Sequence, residues 1–441
     1  MKKGLAAMAV MVLLIVAGTM FIAVWMTAGP RRPGTWSTPD LSFKPFTLDE
    51  LLHNKTSVDL ATSGRKIHSA KFEQIKRRTS RLRGLPLKKD VPLVEASEGL
   101  VKYQLLQSSL EDESVRQTLA NEKVLKALGL LAPDDSLSDI ITAVLTEQIA
   151  GTYDTETKQI TIVKGKVLSG AFDEITMSHE VCHALQDQTF DLEKPPLEDE
   201  AYDSDRDTAV QCLIEGDATD TMYAYAKAYV SAADLIKMQR EASKTESPEL
   251  DRAPPYIRKG LLLPYDAGYA FVSAIKEDTG GSVATVDGAF RDPPMSTRQI
   301  LHPEEFLSGK RPPVELDLPD LENSLGKGWK NVNTDTLSEW DFRVWFEQFT
   351  TEATGADVGD GWAGNEFDYY QGPGKNYVLP MQTVWQEASD ARVFFDEYPR
   401  LLKGRFGAKL EKLGETHASY AFRADGVTFY CGMSENTTLA L

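Results

Sequence analysis

The sequence ITMSHEVCHALQD, residues 175–187, decides how the centre of this chain folds. His179 and His183 are four residues apart, and on an α-helix this spacing brings both imidazoles to one face. Glu180 lies about 100° round the helix from His179, close to any ion that the two rings hold. The chain has only six histidines, so an HExxH pattern is uncommon by chance. The stretch predicts a buried helix that offers two imidazoles and a carboxylate to one metal ion, rather than a helix with two ordinary histidines.

A hydrolytic zinc site needs a third protein ligand and an open position. Gln186 and Thr189 stand where the metzincin pattern would have its glycine and third histidine, so that pattern is excluded. Glu215, in the segment LIEGDA on the next predicted helix, is the better candidate, because a carboxylate on an apolar face is costly to bury without a cation. Gly216 beside it is expected to let the two ligand helices approach. The sequence therefore predicts one Zn²⁺ held by His179, His183 and Glu215.

Hydrolysis at such a site needs a base, and Glu180 is positioned to accept a proton from the attacking water. Carboxylates commonly orient zinc-bound histidines through the second ring nitrogen. The candidates for this role are Asp187, Asp217 and Asp220. The oxyanion of the reaction needs a hydrogen-bond donor, and the candidates for it are Tyr265, Tyr269 and His302.

The motif and the downstream glutamate resemble the gluzincin zinc metallopeptidases. Within that superfamily the chain resembles a group of bacterial membrane-associated zinc peptidases, a group that is defined mostly by sequence. The blocks that carry this resemblance are GTYDTETK from Gly151, HEVCHALQDQ from His179, LIEGDA from Leu213 and PPMSTRQILHP from Pro293, and the resemblance covers roughly residues 80–310.

The resemblance implies an α+β, zincin-like fold, mostly helical with a small mixed sheet. It implies that the hairpin Tyr153–Val163 supplies a sheet edge beside the cleft, where an extended peptide could add as a strand. One residue departs from the thermolysin type, because Thr219 stands where an aspartate usually follows the ligand glutamate by four residues. The surroundings of the metal must therefore be built differently.

The first 30 residues contain a nearly continuous apolar run, Leu5–Met26, after two lysines. As a helix this run would span about 33 Å, enough for a bilayer core of roughly 30 Å. An uncleaved single-pass anchor is the favoured interpretation, with the catalytic domain outside the cytoplasm. A cleaved signal peptide and a secreted protein are the alternative.

The chain divides into five predicted segments. They are a transmembrane anchor or signal segment at 1–30, a linker at 31–60, an N-terminal helical subdomain at 61–130, a zincin-like catalytic core at 131–310 and a C-terminal α/β extension at 311–441. Helical patterns are predicted near residues 172–188, 207–229, 231–242 and 260–278. Hairpins are predicted at 148–163 and 418–431.

The net charge of −18 makes nucleic acid an unexpected partner, because phosphate binding needs clustered Lys and Arg. Twelve of the acidic residues lie between Asp187 and Asp220 against two basic ones. This excess fits a solvated loop, or steering of a basic substrate. Cys182 and Cys212 are expected as two buried thiols, with a disulfide as the alternative.

The sequence thus predicts zinc-dependent hydrolysis of peptide or protein substrates at the cell envelope. Two alternatives remain open. One is a non-catalytic, metal-binding scaffold or binding protein on a zincin fold. The other is a metal-dependent hydrolase of a non-peptide amide.

Overall fold

The computed structural model describes residues 64–97, 99–101, 112–148, 151–164, 170–198, 203–242, 247–309 and 311–441. The predicted anchor at 1–30 and the linker at 31–60 lie outside the described residues. Within the described ranges, the helices all lack the combination of length and apolar character needed to cross a bilayer.

The described residues form a mixed helix and sheet structure. The helices are α1 (Ala70–Arg83), α2 (Asp112–Leu128), α3 (Leu137–Gln148), α4 (Ala171–Phe190), α5 (Ser204–Tyr229), α6 (Ala232–Ala242), α7 (Pro248–Arg252), α8 (Pro255–Asp278), α9 (Val283–Arg291), α10 (Thr297–Leu301), α11 (Pro303–Leu307), α12 (Glu322–Leu325), α13 (Glu339–Phe349), α14 (Glu352–Asp360) and α15 (Ala388–Phe406). The strands are β1 (Arg65–Ile67), β2 (Leu93–Ala96), β3 (Gly151–Asp154), β4 (Gln159–Val163), β5 (Lys330–Asp335), β6 (Trp362–Gln371), β7 (Tyr377–Val378), β8 (Met381–Trp385), β9 (Glu411–Glu415), β10 (Ser419–Ala424), β11 (Val427–Ser434) and β12 (Thr437–Ala440).

The N-terminal sheet has four described strands in the order β1-β2-β4-β3, so β3 is its edge strand. Strands β2 and β4 are parallel and the other pairs are antiparallel. The hairpin predicted from the sequence is confirmed by β3 and β4. Its turn is stabilised by Asp154, whose Oδ1 accepts hydrogen bonds from the backbone of Glu156 and Thr157 at 2.9 and 2.8 Å. The apolar face of this sheet packs on α1 and α4.

Helices α4 and α5 carry the predicted ligands. Helix α4 begins after Gly170, whose N–H donates to the Asp173 carboxylate, and it ends at Asp191 in the left-handed conformation. Helix α5 begins at Asp203, whose side chain accepts from the first free backbone N–H groups. Both helices are a few residues longer than predicted. The α4 residues from Glu174 to Asp187 are buried on all sides of the helix. The sequence of this helix therefore shows no clear division into an apolar face and a polar face.

Glycines let α5 and α8 pack unusually closely. A Cβ atom on Gly216 would come within 2.2 Å of the Gly268 backbone, and one on Gly268 within 2.1 Å of the Cys212 carbonyl oxygen. The prediction that Gly216 lets the two ligand helices approach was therefore wrong about the partner, because Gly216 faces α8 rather than α4. Cys182 and Cys212 are buried free thiols, as the simpler interpretation predicted.

The C-terminal part is built on a second sheet of eight strands, in the order β5-β6-β8-β12-β11-β10-β9 with β7 paired to β6. The predicted terminal hairpin is confirmed by β10 and β11. Aromatic residues of α13 and α15, including Phe342, Trp345 and Phe394, pack on this sheet. The same core includes Leu261 and Tyr265 of α8, so it extends to the helix that borders the predicted ligands.

Candidate metal centre

Helices α4 and α5 bring three potential ligand atoms to one point. His179 Nε2 lies 3.1 Å from Glu215 Oε2, and His183 Nε2 lies 3.0 Å from His179 Nε2. The third side of the triangle, from His183 Nε2 to Glu215 Oε2, is 3.5 Å. All three side chains are buried. The residues that the sequence proposes as ligands are therefore adjacent, although 32 residues separate His183 from Glu215.

The size of this triangle fits a zinc ion. Imidazole and carboxylate ligands lie about 2.0–2.1 Å from zinc in tetrahedral sites, so two such ligands are about 3.3 Å apart. The three observed separations, 3.0, 3.1 and 3.5 Å, bracket that value. Two nitrogens and one oxygen are also a donor set that zinc accepts readily. The residues present therefore fit one zinc ion with a fourth coordination position free.

Glu180 is held beside the triangle by the edge strand. Its Oε2 accepts a hydrogen bond from the backbone N–H of Tyr153 on β3 at 2.8 Å. Its Oε1 is buried and has no hydrogen-bond partner within the described part of the chain. Burial raises the pKa of Glu180 to about 8, against the opposing effects of His183 and the Tyr153 N–H. One carboxylate oxygen is thus anchored and the other is free to take up a proton.

A side-chain network fixes the tautomer of His183. The amide nitrogen of Gln186 donates to the Ile214 carbonyl at 3.0 Å and to Asp217 Oδ2 at 2.8 Å, which fixes the orientation of this amide. The Gln186 carbonyl oxygen then accepts from His183 Nδ1 at 2.9 Å. With the ring proton on Nδ1, the Nε2 lone pair faces the triangle. Arg83 anchors the network through its ion pair with Asp217 at 2.6 Å.

The electrostatics of the triangle favour a bound positive charge. Burial lowers the pKa of His183, but the Glu215 carboxylate outweighs this and the net effect raises it to about 9. Burial raises the pKa of Glu215, yet the two histidines outweigh this and the net effect lowers it. Burial dominates at His179, whose pKa is lowered. A proton or a metal ion would each satisfy this arrangement.

Two of the predicted orienting carboxylates have other partners. Asp187 accepts hydrogen bonds from the Tyr153 hydroxyl at 2.6 Å and from Lys158 Nζ at 3.0 Å, so it fastens the β3–β4 hairpin to α4. Asp220 pairs with Lys276 on α8 at 2.5 Å. The third, Asp217, reaches His183 only through Gln186. The direct partner of His183 is therefore an amide rather than a carboxylate.

The three predicted oxyanion donors are spread over the molecule. Tyr265 on α8 is buried, and its ring stacks beside His179 with a centroid separation of 6.2 Å. Tyr269 packs edge-on against Tyr223 with ring centroids 4.8 Å apart. His302 belongs to a different cluster, described next. Tyr265 is thus the candidate whose ring lies against a proposed ligand histidine.

A second cluster of potential ligand atoms contains His302, Glu339 and Asp360. Here the carboxylates already have cationic partners. Glu339 pairs with Arg298 at 2.7 Å and with Arg343 at 2.5 Å, while His302 Nε2 donates to it at 2.9 Å. This cluster is an ion-pair network around the buried Glu339 that ties α10 to α13, and its charges need no metal.

Sequence reasoning missed three residues of the site. They are Gln186, Tyr153 and Arg83. Gln186 follows His183 by three residues on one helix face, and this spacing could have indicated a contact. The contribution of Tyr153 is a backbone group, and Arg83 lies 134 residues from its partner Asp217, so neither contact has a local pattern.

Comparison with known proteins gives a partial match. A family model described as "Domain of unknown function (DUF8575)" matches residues 324–438, the part that forms β5 and most of the second sheet. The search of curated proteins found no match. The search of solved structures also found no match. The C-terminal part of this chain is thus similar to a family of uncharacterised function, and the matched range does not include the candidate metal centre.

Proposed function

We propose that this chain is a zinc-dependent peptidase that uses His179, His183 and Glu215 to hold the metal and Glu180 as the base. The observation that carries the proposal is the buried triangle of two imidazole nitrogens and one carboxylate oxygen with sides of 3.0, 3.1 and 3.5 Å. Among the described residues Glu215 is paired with His179 and His183 and with no lysine or arginine, so a metal ion held by both imidazoles would balance its charge.

The bound zinc would supply a Lewis acid that polarises the substrate carbonyl and acidifies the attacking water. Glu180 would accept one proton from that water through its free Oε1, while the water oxygen forms the new bond to the carbonyl carbon. As the carbon–nitrogen bond breaks, Glu180 returns the proton to the leaving amine. The Tyr153 N–H keeps the carboxylate in position throughout, because it bonds the other oxygen.

The edge strand β3 supports binding of an extended peptide. Tyr153 lies on β3, and β3 pairs only with β4 in the described sheet. A substrate backbone that runs along this edge would pass beside Glu180. We further propose that the protein acts at the cell envelope, anchored through residues 1–30, a segment outside the described residues.

The test combines metal analysis with cleavage assays on the full chain. Purified wild type is expected to contain one zinc per chain and to cleave members of a quenched-fluorescence peptide library. The Glu180→Gln variant should keep its zinc, because Glu180 is not a ligand, and should lose activity by about 10²–10⁴-fold. Absence of zinc, or equal cleavage by both proteins, would contradict the proposal.

One observation favours the scaffold alternative. All four side chains of the site are buried, with exposed fractions of 1% or less. A site that binds zinc but never admits a peptide would show stoichiometric metal and no cleavage in the same experiment. The assay therefore separates the two functions.

A further inference from the structure

We infer that a cavity beside the metal centre binds a lysine or arginine side chain of the substrate, an inference that rests on the proposed function. The cavity has a volume of about 260 Å³ and lies between α5, α8, α2, α3 and the segment that joins β5 to α13. An engineered cavity of about 150 Å³ already accepts benzene, so the volume is adequate for one long side chain.

The cavity is aligned with the candidate metal ligands. Ser204, Thr208 and Gln211 line it, and these residues share one face of α5 with Glu215, since they precede it by eleven, seven and four positions. On α8 the cavity residue Leu261 precedes Tyr265, the neighbour of His179, by one turn. The near end of the cavity is thus about one helical turn, roughly 6 Å, from Glu215 along α5, and about one turn from Tyr265 along α8.

The chemistry of the walls selects a long cationic side chain. The walls are mainly apolar, with Leu125, Ile141, Ile257 and Phe367 among them. Such walls suit the aliphatic stem of lysine or arginine, whose charged head then needs a polar partner.

Asp335 provides that partner, whereas the Asp341 carboxylate, which also lines the cavity, already accepts hydrogen bonds from Tyr256 and Ser338. The described residues that line the cavity include no lysine, arginine or histidine. Asp335 is buried, and both backbone hydrogen bonds that it accepts, from Ser204 and Thr336, go to Oδ1. Burial raises the pKa of Asp335 to about 7, against the opposing effect of the hydrogen bonds from Ser204 and Thr336. A guanidinium or ammonium group would supply a positive charge beside it.

The polar group nearest to the metal centre adds a second contact. Gln211 Nε2 is buried and has no hydrogen-bond partner in the described residues. It lies between the acidic end of the cavity and Glu215 along α5, where it could donate to a substrate backbone carbonyl. The acid excess between Asp187 and Asp220 would attract a basic peptide to this side of the molecule.

Asp335, Thr336 and Asp341 lie within residues 324–438, the range that matches the family of unknown function. The inference therefore gives the C-terminal part a role, which is to complete a substrate pocket whose other walls come from the metal-binding part.

The test measures binding without cleavage. The probes are Nα-acetyl-L-arginine amide and its neutral near-isostere Nα-acetyl-L-citrulline amide, titrated by calorimetry into the full chain carrying Glu180→Gln. The arginine compound is expected to bind about tenfold more tightly or better, since it forms a charge-assisted contact. Adding Asp335→Asn, which keeps the Oδ1 acceptor, should remove the difference, and so should Thr208→Lys, which puts an ammonium group into the cavity. Asp317→Asn, at an exposed position, should not change it.

Equal binding of the two probes, binding of neither, or a preference that survives Asp335→Asn would overturn the inference. A cleavage profile on proteome-derived peptides then separates it from the proposed function. Selective binding without any cleavage by wild type would refute the peptidase and leave the pocket standing. Cleavage without enrichment of Lys or Arg beside the scissile bond, together with equal binding of the probes, would refute the pocket alone.

Discussion

Two clusters in the described part of the chain bring histidine and carboxylate ligand atoms within 4.8 Å of one another, yet their charge balance differs. At His302 the carboxylate of Glu339 is surrounded by the guanidinium groups of Arg298 and Arg343. At His179 the carboxylate of Glu215 faces only imidazoles, and the nearby Arg83 is paired with Asp217. The comparison teaches that proximity of ligand types does not define a metal site. We propose that the His179 cluster is the metal site because, among the described residues, Glu215 has imidazole partners and no lysine or arginine partner.

The largest expected effect is on zinc affinity. Zinc sites with four protein ligands bind with about 10–16 kcal/mol, or roughly 2.5–4 kcal/mol per ligand. Glu215→Ala should therefore weaken zinc binding by about a hundredfold to a thousandfold. Competition with a chromogenic chelator measures this on the full chain.

Glu339→Gln is the matched control, because it removes a buried carboxylate from the arginine-paired cluster. It should leave zinc affinity at the wild-type value. Equal losses in the two variants would show that the charge balance does not distinguish the clusters.

The second effect is on stability, and it is expected in the His302 cluster rather than in the His179 cluster. Glu339→Ala removes the shared partner of Arg298 and Arg343, and breaking a buried ion pair costs about 3–5 kcal/mol. We expect about 3 kcal/mol, the lower end of that range, because Arg298 keeps Glu305 as a partner and Arg343 is 27% exposed. Urea unfolding monitored by circular dichroism measures it. A loss of unfolding free energy below about 1 kcal/mol would mean that the network stabilises the fold no more than a solvent-exposed ion pair does.

The third effect tests the network behind His183. Gln186→Leu removes the acceptor of the His183 Nδ1–H and should weaken zinc binding about 10–100-fold, the usual effect of losing an orienting partner. Gln188→Leu, on the same helix, is the control, since its amide bonds the backbone of Lys88 and Lys89 instead. An unchanged affinity in Gln186→Leu would show that the ring needs no such support.

The local pattern of the sequence predicted much of the site. The HExxH spacing is a property of one helix, and the glutamate on the next helix was indicated by its apolar neighbours. The adjacency of His179, His183 and Glu215 needs only these two helices. The β3–β4 hairpin was likewise predicted from two β-branched arms and a polar turn.

Long-range contacts could not be read in the same way. The glycine-rich stretch Gly355–Gly374 contains part of α14 and the whole of β6. Most of its glycines are required by close packing, whereas Gly374 has a positive φ of 71° and open space around it. A Cβ atom on Gly355 would lie 2.2 Å from the Arg343 carbonyl oxygen, and one on Gly364 would lie 2.3 Å from that of Val314. Each of these close contacts depends on a residue elsewhere in the chain, so a local sequence pattern does not predict it.

The smallest expected effect is that of replacing Asp220, one of the acidic residues near the candidate metal centre. Asp220 and Lys276 form a pair whose side chains are 19% and 21% exposed, and pairs that reach solvent contribute about 0–1 kcal/mol. Asp220→Asn should therefore lower the free energy of unfolding by less than about 1 kcal/mol and leave zinc affinity unchanged. Asp217→Asn should weaken zinc binding, because Asp217 holds the amide that bonds His183. Both are measured by the urea unfolding and chelator competition used above. If Asp220→Asn weakened zinc binding tenfold while Asp217→Asn did not, the orienting network would have to run through α8 rather than through Gln186.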